Sequence, residues 1–266
     1  MLSISGQTIG QFKADGAVVI RGLFTDWVEL LNEGVARNLE EPGEFVRDYR
    51  DDQGGRFFGD YCNWSRIPEY RDFLFHSPAA ELACTLMESV AARLFHEHVL
   101  VKESATDIPT PWHHDQPYYC VDGQQNCSLW LALDPVPRET AVEFIAGSHR
   151  WGKWFRPERF DNTPLYQHDR FYTLPDIDGH REDYRILGWE LAPGDVVAFH
   201  YLTVHGSPGN RSATARRRGF SSRWVGDDAT FADRGGKTSP PFPDIKLENG
   251  APLTGPEFPV CYRRNA

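Results

Sequence analysis

The stretch Thr110–Tyr119 reads TPWHHDQPYY and places His113 and Asp115 two residues apart. A later stretch, AFHYLTVHGSPGN, supplies His205 as a third ligand candidate. Two histidines and one carboxylate make up the facial triad of non-haem Fe(II) oxygenases. Because side chains alternate between the two faces of a strand, we expect His113 and Asp115 to share a face and His114 to point away. The two stretches therefore predict an iron site on a β-sheet protein.

Other histidines compete for this role, and a His-x-Asp pair alone is weak evidence. His200 lies close to His205, His149 ends the turn AGSH, and His96 and His98 follow a predicted helix. The alternative interpretation of each is a capping or surface histidine. The assignment therefore depends on the sequence around the triad.

The segments around the His-x-Asp stretch are typical of short strands separated by Gly and Pro. Such a pattern predicts a β-sandwich or barrel. The predicted strands are His98–Glu103, Ser128–Asp134, Asp195–Phe199 and Gly219–Val225.

The N-terminal third is predicted to be richer in helix. Gly16–Phe24 (GAVVIRGLF) forms a first strand, and Thr25 caps the helix that follows. That helix carries apolar residues at helical spacing, namely Trp27, Leu30, Leu31, Val35 and Leu39. A second helix is predicted over Ser77–Phe95, with Ser77 as its N-cap. We expect one domain over residues 1–266, with a helical part of about 1–98, a β core of about 99–230 and a Gly- and Pro-rich C-terminal tail.

Composition limits the partners and the compartment. The 266 residues carry a formal net charge of −10, which argues against a nucleic-acid partner. No apolar run approaches the ~20 residues that span a membrane, and the N-terminus lacks the pattern of a signal peptide. The five cysteines are irregularly spaced and predict reduced, mostly buried thiols. We expect a cytoplasmic protein, a monomer or small homo-oligomer, acting on a small molecule.

Two long irregular segments are predicted. Residues 151–189 form a loop or lid, in which Trp154, Arg156 and Arg159 either meet an anionic or amphiphilic substrate or lie in solvent. The tail Gly235–Pro259 forms an ordered wrap or a flexible arm.

The chain resembles the phytanoyl-CoA dioxygenase (PhyH) family of Fe(II)/2-oxoglutarate-dependent oxygenases. The matching motifs occur in family order: GAVVIRGLF, TPWHHD, SLWLALD, FIAGSH, PGDVVAFH, HGSPGNRS and RRRGFSSRW. One departure is Ala146, where the family has proline. The resemblance spans roughly residues 16–228 and implies a double-stranded β-helix, the jelly-roll or cupin-like core, with a helical N-terminal part.

The resemblance also implies roles for individual residues. His113, Asp115 and His205 would hold Fe(II), and an arginine after His205 would bind the distal carboxylate of 2-oxoglutarate. Counting from His205 gives Arg216, whereas aligning the strand GFSSRW gives Arg217. We favour Arg217, because turns tolerate insertions better than paired strands do.

Further candidates follow from the same resemblance. Ser207 and Trp130 match positions that line the co-substrate site, and Lys102 is a weaker candidate that an edge strand would also explain. Gln116, Tyr118 and Tyr119 follow the first two ligands and are candidates for substrate contact or for rim packing.

The implied reaction consumes O2 and 2-oxoglutarate, releases succinate and CO2, and hydroxylates a small molecule. Related halogenases have a small residue in place of the carboxylate, so Asp115 favours hydroxylation or another oxidation such as desaturation or ring closure. Two alternatives are a Zn- or Mn-dependent cupin-like hydrolase or isomerase, and a catalytically silent binding protein with the same fold.

Overall fold

All four α-helices lie within the first 87 residues of the described chain, where they alternate with strands, and the rest is mainly strands and 3-10 turns. In this computed structural model the described residues are 2–158, 163, 165–166 and 170–264. The helices are α1 (Gly6–Asp15), α2 (Val28–Glu40), α3 (Pro68–His76) and α4 (Ala79–Met87). The strands are β1 (Ala17–Ile20), β2 (Arg47–Arg50), β3 (Arg56–Tyr61), β4 (Ala91–Lys102), β5 (Thr110–His113), β6 (Val121–Asp122), β7 (Asn126–Ala132), β8 (Glu143–Ile145), β9 (Ile186–Leu187), β10 (Val196–Phe199), β11 (His205–Ser207), β12 (Arg217–Val225), β13 (Thr230–Phe231) and β14 (Val260–Arg263).

Two antiparallel sheets face each other. The major sheet has the order β1-β10-β7-β12-β4-β3-β2, with β14 paired to β4, and the minor sheet has the order β5-β11-β8-β9. Strands distant in sequence are neighbours in both sheets, as in a jelly roll. The predicted double-stranded β-helix with a helical N-terminal part is confirmed.

The alternation of side chains along β7 explains why the major sheet has a helix layer on one face. Leu129 and Leu131 pack into the core shared with α2, α3 and α4. Trp130 and Ala132 point to the opposite face and pack with residues such as Phe144 of β8, between the sheets. Because both faces are covered, β7 is apolar along most of its length, and burying each large side chain contributes about 1.5–3 kcal/mol.

The predicted helix over Ser77–Phe95 is wrong in its second half. Helix α4 ends at Met87, and Glu88 adopts a left-handed conformation with φ 52°. From Ala91 the chain is β4, which pairs with β12, β3 and β14. These long-range pairings outweigh the helical spacing of the apolar residues, since strand preference depends on the neighbours a strand finds.

The beginning of the preceding helix also differs from the prediction. Thr25 opens a short 3-10 turn rather than capping a helix, and α2 begins at Val28 with no side-chain cap. The apolar face of α2 is nevertheless inward, with Leu31 and Val35 fully buried.

The C-terminal tail is an ordered wrap. Leu253 and Phe258 are buried beside Phe95, and β14 extends the major sheet. All five cysteines are free, three of them buried. Within the described part of the chain, no helix has the length and apolar character needed to cross a bilayer.

Candidate metal centre and co-substrate pocket

Strand pairing in the minor sheet brings the three predicted ligands together. His113 ends β5 and lies opposite His205, which begins β11. Asp115 follows two residues later, and its backbone N–H donates to the carbonyl of Tyr201 at 2.7 Å. One ligand atom from each of these three residues lies within 4.8 Å of the others. The β5–β11 pairing and the hydrogen bond to Tyr201 therefore hold the three candidate ligands next to one another.

Hydrogen bonds fix which nitrogen of each histidine faces the centre. Nδ1 of His113 lies 2.8 Å from the carbonyl of Pro111, and Nδ1 of His205 lies 2.9 Å from that of Thr203. Each Nδ1 must therefore carry the proton, which leaves the Nε2 lone pair free for a metal.

The donor atoms are close to the arrangement a metal requires. The Nε2 atoms of His113 and His205 lie 3.5 and 3.9 Å from Oδ1 of Asp115. Donors at right angles around a metal at about 2.1 Å would be about 3.0 Å apart. Two imidazole nitrogens and one carboxylate oxygen suit Fe(II), and a small inward movement of the side chains would complete the geometry.

The second oxygen of Asp115 is held by groups that the sequence did not single out. Oδ2 accepts from the hydroxyl of Ser128 at 3.4 Å and lies 3.6 Å from Nε of Arg223. The same Nε donates to the hydroxyl of Tyr119 at 2.6 Å. Burial raises the pKa of Asp115, but the Arg223 charge and the two histidines outweigh burial and hold it well below its usual range. Asp115 is therefore an anion whose Oδ2 is held by Ser128 and Arg223, which leaves Oδ1 for a metal.

His114 faces away from the centre, as predicted, although β5 ends at His113 and the chain turns at Asp115, with φ −74° and ψ −42°, rather than continuing as a strand. Its Nε2 accepts from the backbone N–H of Phe155 at 2.8 Å, and its ring packs against the Phe155 ring. Burial lowers its pKa to about 4, which keeps it a neutral acceptor. His114 anchors the segment after β8 and does not reach the centre.

A second polar group of residues lies on the inner face of the major sheet. Lys102 and Arg217 are adjacent in the β4–β12 pairing, and both are buried. Nζ of Lys102 and Nη2 of Arg217 lie 3.1 and 3.3 Å from the hydroxyl of Ser207. Lys102 also donates to the carbonyl of Pro208, and Arg217 to that of Thr140.

Neither of these basic groups has an acidic partner among the described residues. Across residues 2–158, 163, 165–166 and 170–264, no carboxylate lies within ion-pair distance of Lys102 or Arg217. Burial lowers the pKa of Lys102 to about 6, with the Arg217 charge acting in the same direction, and burial lowers that of Arg217 to about 10. Two buried, uncompensated basic groups form a strong site for an anion.

Arg216 and Arg217 point in opposite directions. Arg216 is half-exposed and pairs with Glu103 at 3.2 Å on the outside of the protein. Lys102 lies on β4, which is flanked by β12 and β3, so it is not an edge-strand residue.

Trp130 lies between the two polar groups. It points into the space between the sheets, where it packs against Gly219 of β12. A Cβ on Gly219 would come within 2.4 Å of the indole, so the glycine makes room for the ring. Trp130 thus lies on the inner face of the major sheet, on the strand that neighbours the one carrying Arg217.

The three substrate candidates have different surroundings. Tyr118 is half-buried, and its ring centroid lies 6.0 Å from that of His113. The hydroxyl of Tyr119 is used in the Arg223 contact. Gln116 points away, its amide donating to the carbonyl of Gly123 at 3.0 Å, and it lines a separate cavity of about 400 Å³.

The segment over residues 151–189 contacts this region and contains short regular elements. The Tyr118 hydroxyl hydrogen-bonds the backbone of Glu158, and residues Asp178–Asp183 form a 3-10 turn. Trp154 packs under the guanidinium of Arg234, with 4.9 Å between Cζ and the ring centroid. Arg156 is exposed, and Arg159 lies outside the described residues.

Comparison with known families accounts for most of the chain. A family model described as phytanoyl-CoA dioxygenase (PhyH) matches residues 12–219. Among curated proteins, no relative matches the chain.

Solved structures share the fold at low sequence identity. The epimerase SnoN from nogalamycin biosynthesis, solved with Fe3+, alpha ketoglutarate and nogalamycin RO, is 24% identical, with a TM-score of 0.75 over 96% of this chain and 98% of that chain. The carbocyclase SnoK from nogalamycin biosynthesis is 23% identical, with a TM-score of 0.74 over 97% of this chain and 96% of that chain. EctD from S. alaskensis, solved with 2-oxoglutarate and 5-hydroxyectoine, is 18% identical, with a TM-score of 0.70 over 94% of this chain and 86% of that chain.

Proposed function

Because this chain belongs to the phytanoyl-CoA dioxygenase (PhyH) family, we propose that it is an Fe(II)- and 2-oxoglutarate-dependent dioxygenase that hydroxylates a small molecule. His113, Asp115 and His205 would hold the iron. Bound iron supplies the activation of O2 and its coupling to the oxidative decarboxylation of 2-oxoglutarate to succinate and CO2.

The observation that carries the proposal is the pair of buried basic groups beside the triad. A dicarboxylate with one end at the metal needs a cationic partner for its other end, and Arg217 offers a guanidinium fork for it. Lys102 and Ser207 flank the same position. A Zn or Mn hydrolase would not need a second buried anion site on the same wall.

The protein's own residues would orient the reactants and exclude water. Trp130 and the apolar inner face of β7 would confine the co-substrate, while Tyr118 would close the centre beside His113. Asp115 keeps one oxygen for the metal because Ser128 and Arg223 hold the other. With only three protein ligands, the site would leave room at the metal for 2-oxoglutarate and O2.

The carboxylate ligand favours hydroxylation, or another C–H oxidation, over halogenation. Asp115 occupies the position that a halogenase leaves to chloride. Since similar folds include an epimerase and a carbocyclase, product analysis decides between hydroxylation and another C–H oxidation.

The iron assignment is tested by anaerobic addition of Fe(II) and 2-oxoglutarate. We expect a weak visible charge-transfer band in the wild type and none in His113→Ala. His114→Ala is the matched control, since its ring faces away, and should keep the band. A wild-type protein without the band, or a His113→Ala protein that retains it, would contradict the proposal.

The co-substrate anchor is tested by the two neighbouring arginines. Arg217→Gln should weaken 2-oxoglutarate binding about 100-fold, because a buried charge pair is lost. Arg216→Gln should leave binding nearly unchanged, because Arg216 pairs with Glu103 on the outside. Equal effects of the two substitutions on the anaerobic titration would rule out this anchor.

A further inference from the structure

One part of the inner wall of the major sheet stays open next to the metal centre. In β4 beyond Arg93, His98 and Leu100 are half-buried, whereas the other residues are buried. Leu100 packs against the apolar cluster of Trp130 and Phe144 between the two sheets, and His98, two residues before it, lies on the same face of β4. We call this partly open part of the inner face of the major sheet the chamber.

His98 has unused hydrogen-bonding capacity in this chamber. Its Nε2 lies 3.1 Å from the position of a Cβ on Gly59, so the glycine lets the imidazole extend over β3. The Tyr61 ring meets it edge-on at 5.2 Å. No described residue hydrogen-bonds to either ring nitrogen of His98. Burial lowers its pKa to about 3, with the Arg223 charge acting in the same direction, so the ring is a neutral donor and acceptor at pH 7.

Arg47 lies beyond Gly59 on the same face. It is opposite Gly59 in the β2–β3 pairing, and β2 is the free edge of the major sheet. Its Nη1 donates only to the neighbouring carbonyl of Val46, and within the described chain no carboxylate lies at ion-pair distance from it. Its charge acts on both His98 and Tyr61, which places the guanidinium on the chamber side.

This chamber wall contains no acidic side chain. The residues of β2, β3 and β4 on the face of His98 are Arg47, Tyr49, Phe57, Gly59, Tyr61, His96, His98, Leu100 and Lys102. The whole chain, in contrast, has a net charge of −10. Phe45 is stacked on Tyr61 at 5.4 Å and gives the wall an aromatic edge. The charge of Arg47 favours an anionic ligand, and the aromatic side chains beside it favour one that carries a ring.

We propose that His98 and Arg47 form the recognition subsite for the primary substrate, and that this substrate carries an oxyanion, a carboxylate or a phosphate. The proposal rests on the proposed dioxygenase function. Arg47 would bind the oxyanion at the chamber entrance, and His98 would hydrogen-bond the substrate between Arg47 and the metal. This anion site is separate from that of Arg217, which takes the co-substrate.

The test uses matched anionic and neutral probes on the anaerobic enzyme loaded with Fe(II) and saturating 2-oxoglutarate. The pairs are benzoate with benzamide and phenyl phosphate with phenol, and binding is measured by calorimetry. We expect at least one anion to bind about tenfold more tightly than its neutral partner, as one charge-assisted contact would give. The pair that shows the preference distinguishes a carboxylate from a phosphate.

Variants then assign the preference to the two residues. Arg47→Leu should abolish it, and Arg50→Leu, on the outer face of the same strand, should keep it. His98→Leu should weaken binding of the preferred anion, and His98→Gln should recover part of it. Loss of the preference in Arg50→Leu to the same degree as in Arg47→Leu would overturn the proposal.

The same samples separate this inference from the proposed function. A missing charge-transfer band would mean that the dioxygenase assignment has failed. An intact band without any preference for the anions would overturn only the substrate inference. A preference that is present without 2-oxoglutarate but absent when 2-oxoglutarate is saturating would show binding at Arg217 instead, and would also overturn it.

Discussion

Each of the three candidate metal ligands has its free donor atom set by a neighbouring group. Backbone carbonyls select Nε2 of His113 and His205, and Arg223 with Ser128 selects Oδ1 of Asp115. Such outer contacts orient ligands and raise their affinity for a metal. Arg223 was absent from the sequence prediction, although its position six residues after Arg217 puts it on the same face of β12.

Arg223 is predicted to support metal binding through Asp115. Arg223→Gln removes the cation beside Oδ2, so we expect the affinity for Fe(II) to fall by about 10–100-fold. Arg218→Gln is the control, because Arg218 lies on the outer face of β12 and pairs with Asp134. Anaerobic metal titration measures both variants, and thermal unfolding checks that each remains folded. An unchanged affinity in Arg223→Gln would contradict the role.

Lys102 predicts a proton linkage in co-substrate binding. With a pKa of about 6 it is mostly neutral at pH 7.5, and an incoming carboxylate would favour its charged form. Binding of 2-oxoglutarate should therefore take up close to one proton and weaken as the pH rises above 6. Calorimetry in buffers with different ionisation heats measures the uptake, and Lys102→Met should abolish it.

The lowered pKa of Lys102 also makes the stability of the protein depend on pH. The folded pKa of Lys102, about 6, lies below its ordinary value of 10.5, so the unfolded chain binds the extra proton between these two values. The free energy of unfolding should therefore gain a contribution that rises with pH across this window and disappears in Lys102→Met. If 2-oxoglutarate binding still takes up a proton in Lys102→Met, the group that binds this proton is not Lys102.

At the scale of elements, strand β12 connects the two halves of the site. Its inward positions run from Arg217 through Gly219 to Arg223, and its outward positions, including Phe220 and Trp224, enter the helix-covered core. One strand therefore carries the anion anchor, the space for Trp130 and the support of the metal carboxylate. A shift of register by one residue would exchange all of these with apolar residues.

Gly219 tests the fit between β12 and β7. Gly219→Ala places a methyl group within 2.4–2.8 Å of three indole atoms of Trp130. The ring must move, and we expect a stability loss of about 1–3 kcal/mol together with weaker 2-oxoglutarate binding. Gly10→Ala, where nothing lies within 4 Å of the new methyl group, should instead be neutral or gain up to about 1 kcal/mol. Urea unfolding and the anaerobic titration measure the two effects.

At the level of the whole molecule, the C-terminal tail packs against strands β3 and β4 of the major sheet. Phe258 is fully buried and stacks on Phe95 of β4 at 5.6 Å. The hydroxyls of Ser239 and Tyr61 are 3.2 Å apart, which joins the tail to the strand beside the metal centre. The tail thus belongs to the same structure that positions the site.

Phe258→Ala is expected to destabilise the whole protein by about 3–5 kcal/mol, because it leaves a cavity under β4. Val90→Ala, at a position 60% exposed, should change stability by no more than about 0.5 kcal/mol. Chemical denaturation followed by two spectroscopic probes gives both values. A Phe258→Ala protein as stable as wild type would mean that the tail is dispensable for folding.

The residue types of the site follow from the sequence alone. The expectation that His113 and Asp115 share a side and that His114 points away agrees with the structure, but strand alternation is not the reason, because β5 ends at His113 and Asp115 lies in the turn that follows. Short strands with Gly and Pro between them indicated a β-sandwich or barrel, and the family resemblance then implied the double-stranded β-helix. The order of motifs also identified the family that the comparison then found.

Tertiary structure decided everything that depends on distant pairing. It turned residues 91–95 from predicted helix into strand, since β4 gains partners on both sides. It placed Arg223 next to Asp115, from which it is separated by 108 positions in the sequence. It placed Lys102 next to Arg217, from which it is separated by 115 positions. It also placed His98 and Arg47 on the same face of the major sheet, where no acidic side chain of the described residues pairs with either of them. These features depend on which strands become neighbours, and long-range pairing is set by the packing of the whole chain rather than by any local pattern.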